Sequence, residues 1–566
     1  MGILVIISTI SFYPSFNAKF LHQDYNIIYK IKKRGFSINY FDFIKSDKHI
    51  KQLKNKGVIP YYTQKGVKHN FFRPLSSIFY FFEYKLFKRT VSSYRIVNFI
   101  LFLLAIFVFY VLLSKFILKP QALIGTVFFA LGKTHYALLK NAFAADNLLV
   151  FIFIMASLFY FYKYFNERRK KHIYLCITFC VLSLLTKETG IFSIIFILAY
   201  DTLFIRTGKL IKRIKNSISK NYLLSGILIF YFLFYLFAGF GAYSLKYISI
   251  LTPGKYLLYL PKSILINLFS LFLYMPQRGF SANPVLGYPT LTIVSILLCA
   301  VVIFTVLYNL KKNWQLKFFA FMLITPLLLY VGINQSETSL LIPQAAFAVI
   351  SAIFIYNFFK TRSGNLIKRQ TMLIGAIIIS LFTIISPFYN RFIIEKYENI
   401  AKLYKPVSEQ LKGVFGDAFL SWRKTLIVLN NKEPKILPGF HSNLLMLTQT
   451  DNLKYHIINP NNYVRIIPES SNSLILESYR EYEEFFIGNG INYETKFLLN
   501  YNFKKNQEFD TKYYTVKILK LQAGKPVKIE LISKVPLHDD SILFVRYNSL
   551  KQKYEIKRFT KTGSFK

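Results

Sequence analysis

The sequence predicts a polytopic α-helical membrane protein of about eleven transmembrane helices that ends in an extracytoplasmic mixed α/β domain. Three observations predict it. First, 53% of the 566 residues are hydrophobic and 18% aromatic, and mean hydropathy is positive. A soluble domain cannot hide that much apolar surface, because single cores stop growing near roughly 250–300 residues. Second, apolar runs approaching the length of a membrane-crossing helix recur along the chain. Third, the loops between them are strongly basic on one set of turns, the bias that marks cytoplasmic loops.

The first element is the apolar run 3–16. No basic stretch precedes it and no small-residue cleavage site follows, so it reads as a retained span and not as a signal peptide. Further spans are predicted at 96–113, 121–133, 147–165, 173–186, 190–205, 222–241, 288–309, 317–333, 338–359 and 371–388. Several are short for a hydrocarbon core about 30 Å thick, and flanking residues or tilted neighbours complete them. Asn166–His172 reads NERRKKH, Arg206–Lys220 is rich in Lys and Arg, and Lys311–Lys312 and Lys360–Arg369 are also basic. Counting eleven spans puts all four on one face, which the charge bias makes cytoplasmic. The N-terminus is then inside and the tail outside, in a plasma (inner) membrane. Residues 1–389 form the membrane domain and 390–566 the outer domain.

Three segments face outward. Residues 17–94 are polar, with amphipathic stretches such as Ser76–Phe87. Residues 241–289 contain the apolar run Tyr256–Tyr274, bounded by Pro253, Pro261 and Pro276. A crossing there would move the later basic loops to the wrong face, so the run reads as an interfacial or re-entrant helix. The tail opens with a helix-like stretch, Arg391–Leu411, and continues with strand-like runs at Thr425–Leu429, Val527–Ile532 and Ile542–Tyr547.

The formal charge of +45 first suggests nucleic acid. The cytoplasmic loops already explain much of it, and the rest suits anionic lipid head groups or a phosphate-bearing substrate. Membrane lipids are therefore expected as partners and nucleic acid is not. Cys176, Cys180 and Cys299 all lie in apolar runs and read as buried small residues, not as a disulfide framework. There is no P-loop, no Rossmann glycine fingerprint, no HExxH and no Cys or His pair at zinc spacing, which argues against an ATPase or a metalloprotease.

Ionisable groups at the outer membrane boundary carry the functional signal, since burying them costs several kcal/mol. Asp24 follows the first span. It is either a partly desolvated general base or a solvated loop aspartate. Arg73, in Phe71-Phe72-Arg73-Pro74-Leu75, is held by aromatic neighbours and by the proline after it. Its guanidinium suits a phosphate or, alternatively, snorkels to lipid head groups. Lys187–Glu188 stands between two apolar runs with almost no loop, as a phosphate-holding pair or as a plain turn. His135 and Asp146 flank the next outer loop, where a lone histidine is more often structural. Arg278, in Met275-Pro-Gln-Arg-Gly, is a weaker supporting candidate.

Taken in order, these motifs resemble the GT-C superfamily of membrane glycosyltransferases, and within it the protein O-mannosyltransferase-like branch. The matching features are the early aspartate Asp24, Arg73-Pro74-Leu75 before the amphipathic Ser76–Phe87, His135 and Asp146 around the second outer loop, and Lys187–Glu188 opening the sixth span. The resemblance covers about residues 1–206. It implies transfer of a sugar, hexosyl or pentosyl, from a polyprenyl-phosphate carrier to a protein, lipid or envelope glycan. By the same resemblance Asp24 is the base of an inverting reaction, Arg73 and Lys187 hold the departing phosphate, and Glu188, His135 and Asp146 support them; Arg278, beyond the residues the resemblance covers, is a further supporting candidate. No cofactor or metal is expected, because a single early aspartate is poor provision for a divalent ion. Two departures stand out: Gln23 precedes Asp24 where many relatives carry a second acid, and Glu337-Thr338-Ser339 replaces a late Arg-Tyr pair.

A transporter or flippase for a lipid-linked saccharide is the alternative. It would place polar groups in broken helices near mid-membrane and show internal repeats, whereas here the ionisable groups gather at one face and no repeat is visible.

Overall fold

The computed structural model describes residues 2–17, 20, 22–55, 63, 65–88, 90–132, 135, 138, 141–243, 253–273, 314–329, 340–360, 425–428, 454–457, 464–478, 503–522, 524–539, 542–548, 553–557 and 559–560. The predicted spans 288–309 and 371–388, the stretch Arg391–Leu411, Cys299 and Arg278 lie outside the described residues.

The chain begins with helix α1 (Gly2–Phe12), followed by α2 (His22–Arg34), strand β1 (Asp42–Ile44), α3 (Asp47–Asn55), strand β2 (Lys68–Asn70) and α4 (Pro74–Phe87). The amphipathic stretch read at Ser76–Phe87 is therefore α4. Then come the apolar helices α5 (Val91–Phe116), α6 (Lys119–Ala130), α7 (Ala145–Glu167), α8 (Lys170–Thr186) and α9 (Ile191–Tyr200). A 3-10 turn at Glu188–Gly190 leads into α9, and a π turn at Asp201–Ile205 extends it. Next are α10 (Leu210–Lys220), α11 (Tyr222–Phe237), strand β3 (Gly241–Tyr243), α12 (Pro253–Leu273), α13 (Trp314–Leu329) and α14 (Leu341–Lys360).

Among the described residues three helices are long and apolar enough to cross a membrane: Val91–Phe116, Ala145–Glu167 and Glu188–Ile205. The pair α10–α11, bent by 83°, makes a fourth if counted as one span. The described residues thus do not establish eleven crossings, although helices occupy most of the predicted positions. At about 1.5 Å per residue, the 26 residues of α5 reach about 39 Å, more than the hydrocarbon core needs.

Two opposite faces of α5 explain its environment. Phe102, Ala105, Ile106, Phe109, Leu112 and Leu113 are buried in the large helical core, while Ile96, Ile100, Leu104 and Phe107 are exposed. The exposed positions recur every three or four residues, which makes an apolar stripe along one side of the helix. A helix apolar all round is stable when lipid covers what protein does not.

The connections sort to two ends. At one end the short loops after α7 and α9 carry Arg168, Arg169, Arg206 and Lys209, and α10 adds further basic residues. At the other, β1, β2 and β3 form an antiparallel three-stranded sheet with β2 central, joining the segment between α1 and α5 to the one after α11. The run read as interfacial or re-entrant is α12, which packs on α13 and whose Tyr256 hydroxyl donates to the Leu328 carbonyl at 2.5 Å.

The described part of the tail consists of strands. β6 (Val464–Pro468), β7 (Ser473–Ser478), β8 (Glu508–Asp510), β9 (Tyr514–Gln522) and β10 (Lys525–Ser533) form a sheet in the order β6-β7-β10-β9-β8. Alternation sets its register: Val516 pairs with Leu531 and Ile518 with Ile529, and all four side chains point into one core with Leu474 and Leu476. A second sheet has the order β12-β11-β4-β5, built from β4 (Thr425–Val428), β5 (Lys454–Ile457), β11 (Ile542–Asn548) and β12 (Lys553–Lys557). The three strand-like runs of the sequence are β4, β10 and β11. The Lys512 amide donates to Asn55 Oδ1 at 3.0 Å, which ties the tail to α3.

Candidate functional site

The site is organised by α4. Pro74 opens the helix with its φ pre-set and no amide to satisfy, which leaves Arg73 as the non-helical residue just before it. Ser76 Oγ donates to the Thr186 carbonyl at 2.7 Å, pinning the start of α4 to the end of α8. Ser77 Oγ accepts the Tyr40 amide at 3.1 Å. Arg73 is thereby brought beside Lys187 and Glu188, more than a hundred residues away in the chain.

The Arg73 guanidinium lies 4.7 Å from the Phe41 ring centroid and 4.8 Å from that of Phe71, so aromatic faces hold its plane. Nε donates to Glu188 Oε1 at 3.0 Å, Nη2 to Glu188 Oε2 at 2.6 Å, and Nη1 to Asp146 Oδ2 at 3.1 Å. Burial works against its charge, but Glu188 and Asp146 outweigh that and hold the guanidinium above its ordinary value. Lys187 Nζ is 3.4 Å from Asp146 Oδ2 and donates to Asn147 Oδ1. Burial lowers its ammonium from the usual lysine range, against the opposing pull of Asp146.

Asp146 stands in the first turn of α7, where backbone N–H groups and the helix dipole favour a carboxylate. The Tyr80 hydroxyl donates to its Oδ1 at 3.0 Å and accepts its amide at 3.1 Å. Tyr235, from α11, lies 3.0 Å from Glu188 Oε1 and 3.1 Å from the Phe72 carbonyl, its one proton serving either acceptor. Gly190 lets this corner close, because a Cβ there would sit 2.2 Å from the Ser183 carbonyl oxygen.

Asp24 is fully buried in the first turn of α2, and its Oδ1 accepts the Phe143 amide at 3.1 Å. The Phe143 ring packs 5.1 Å from Tyr80 and 5.0 Å from Tyr94, which sets Asp24 on the flank of the α4 face that carries Tyr80. Glu83 lies on that face, three residues after Tyr80. It is 4% exposed, and among the described residues neither carboxyl oxygen has a hydrogen-bond partner. Burial, reinforced by Asp24, pushes this carboxyl well above the usual range.

Of the residues singled out in the sequence, Arg73, Asp146, Lys187 and Glu188 meet in one ion-paired cluster, with Asp24 buried on the neighbouring flank. His135 does not join them. Its ring packs 4.5 Å from Phe102 and 4.7 Å from Phe129, its Nε2 faces the Phe129 carbonyl, and burial lowers it to about 4, a neutral ring in an aromatic core. Arg278 lies outside the described residues. Sequence reading missed Tyr80, Glu83, Asn147 and Tyr235. The signal for the first two was present: Ser76, Ser77, Tyr80 and Glu83 recur every three or four residues, a polar face that α4 buries. Among the described residues no group of three or more His, Cys, Asp or Glu side chains gathers to hold a metal ion.

No protein-family model matches the chain, and no curated protein matches it. It is similar to solved structures. The apo oligosaccharyltransferase of Archaeoglobus fulgidus is 11% identical with a TM-score of 0.47, over 80% of this chain and 63% of that one. The archaeal oligosaccharyltransferase AglB from Archaeoglobus fulgidus, in complex with an inhibitory peptide and a dolichol-phosphate, is 10% identical with a TM-score of 0.43, over 80% and 64%. ArnT from Cupriavidus metallidurans, bound to undecaprenyl phosphate, is 11% identical with a TM-score of 0.37, over 78% and 84%. The chain thus spans under two thirds of the archaeal enzyme's length. Each of these TM-scores lies below 0.5, and the likeness does not single out the O-mannosyltransferase branch.

Proposed function

We propose that the chain is a membrane glycosyltransferase that moves a sugar from a polyprenyl-phosphate carrier to a protein, lipid or envelope-glycan acceptor at the outer face. One observation carries this reading: three distant segments deliver two half-buried cations, the half-buried Glu188 and the buried Asp146 to one end of the helices, with a further buried aspartate alongside. Ionisable groups of that density are expensive at a membrane boundary and persist mostly where they act.

In the proposed reaction the acceptor oxygen attacks the anomeric carbon as the bond from that carbon to the phosphate oxygen breaks. The acceptor proton passes to Asp24, the lipid phosphate leaves with the bonding pair, and the anomeric configuration inverts. Arg73 and Lys187 face the growing negative charge. Three of Arg73's five N–H donors are used by Glu188 and Asp146, which fix its plane and leave two for a ligand. A cation about 4 Å from that charge is worth roughly 4 kcal/mol at an effective dielectric of 20, close to a thousandfold in rate.

The test is Asp24→Asn, assayed for sugar transfer from a polyprenyl-phosphate donor in membranes. The expected result is loss of transfer with insertion and folding intact. Undiminished transfer removes Asp24 from the mechanism.

A further inference from the structure

Among the described residues, Glu83 is a buried carboxyl of this region that the transfer reading leaves without a task. A buried carboxyl with no partner among the described residues forfeits the hydrogen bonds it made in water, and a fold has no use for that penalty on its own account. Its placement is specific. Phe143, whose amide donates to Asp24, packs on Tyr80 and Tyr94, and Tyr94 packs 5.6 Å from Phe87. Glu83 lies between Tyr80 and Phe87 on the same face of α4, three residues from one and four from the other, so it faces the Phe143–Asp24 corner. Among the described residues, the titratable groups that interact with it are Asp24 from α2, Tyr94 from α5 and Tyr80 from its own helix. As a neutral acid it offers one O–H donor and free acceptor capacity, the complement of a hydroxyl.

The geometry points to Glu83 as a further substrate contact: its buried carboxyl takes up a hydroxyl of the bound substrate, on the transferred sugar or on the acceptor, beside Asp24. This rests on the transfer reading above and deepens it. It also explains a carboxyl that has no partner among the described residues, since a bound hydroxyl supplies one.

Glu83→Leu and Glu83→Gln, made in the full chain and assayed in membranes, test it. Glu83→Leu removes the polar group and the desolvation penalty together. The ligand-free variant is expected to unfold at or above the wild-type temperature, while KM for one substrate rises about tenfold, the loss expected for one hydrogen bond. A rise confined to the polyprenyl-phosphate sugar assigns the hydroxyl to the sugar, and one confined to the acceptor assigns it there. Glu83→Gln, which keeps a donor and an acceptor, is expected to stay within about threefold of wild type. The inference is overturned if Asp24-dependent transfer persists with both KM values unchanged in Glu83→Leu. It is equally overturned if both variants unfold several degrees earlier, which makes Glu83 a structural prop. Failure of the transfer reading looks different: transfer is then absent from the wild type, or indifferent to Asp24→Asn.

Discussion

At the scale of single residues, the charge arithmetic of the cluster governs what it binds. Arg73 and Lys187 are balanced by Asp146 and Glu188, so the set is neutral as it stands. A neutral cluster avoids the cost of an isolated buried charge, and in the proposed reaction its spare N–H groups meet the incoming phosphate. Lys187→Ala is expected to raise KM for the lipid-phosphate donor at least about tenfold, since hydrogen bonds to charged groups contribute about 1.5–3 kcal/mol. KM for the acceptor should change little, and the reverse pattern in steady-state kinetics contradicts a phosphate role. Arg73, Lys187 and Glu188 were legible because charged residues wedged between apolar runs stand out in a sequence. Tyr80 and Tyr235 were not. This chain is dense in aromatic residues, and only the folded positions of their hydroxyls distinguish two tyrosines among 41.

At the scale of elements, α4 and the corner after α8 do the positioning. The sequence marked α4 by Pro74 and an amphipathic pattern, but the same pattern is read equally well as a helix lying on lipid. The structure turns its polar face inward against Thr186, Asp146 and Tyr40. Gly190→Ala is expected to cost about 2–3 kcal/mol, because its Cβ would collide with the Ser183 carbonyl and the corner cannot open without moving Lys187 and Glu188. Thermal unfolding in detergent checks this, and an unchanged midpoint contradicts it. On β1, Asp42 is held by Arg34 at 2.7 Å, Lys45 at 2.7 Å and Lys30 at 3.2 Å. Burial would raise its carboxyl, but the three cations reverse that and lower it to about 2. A carboxyl depressed in the folded state adds stability that is present above its unfolded value of 3.8 and lost as pH falls towards 2. Asp42→Asn removes this acid-sensitive contribution and leaves Lys30 and Arg34 only their carbonyl partners at Tyr40 and Asn39, at a cost of about 1–3 kcal/mol near neutral pH. If the variant's stability matches wild type at pH 7, Asp42 is not what holds the β1–β2–β3 sheet.

At the scale of the whole molecule, the alternation of apolar run and basic loop made the membrane class and the order of its helices legible, because lipid imposes it on every span. The number of crossings was less so. Helices such as α6 and α11 are apolar but shorter than a bilayer requires, and length alone does not say whether they cross. Placing Arg168, Arg169 and the α10 basic residues at one end, with the ion-paired cluster at the other, makes a topological prediction. Single cysteines replacing Lys65 and Lys170 should react differently with a membrane-impermeant maleimide on intact cells: position 65 labels, and position 170 labels only after lysis. Labelling of position 170 from outside inverts the orientation and puts the proposed chemistry on the wrong face.

The central claim is that a bond between sugar and lipid phosphate is broken at the Asp24 corner, and not merely that a lipid-linked saccharide is carried past it. Purified protein in vesicles, supplied with a polyprenyl-phosphate donor bearing a labelled sugar and with candidate acceptors, separates the two. The predicted result is label on the acceptor with inverted anomeric configuration, free polyprenyl phosphate in equal amount, and neither with Asp24→Asn. Intact donor that has changed leaflets, with no polyprenyl phosphate released, contradicts it and makes the chain a flippase.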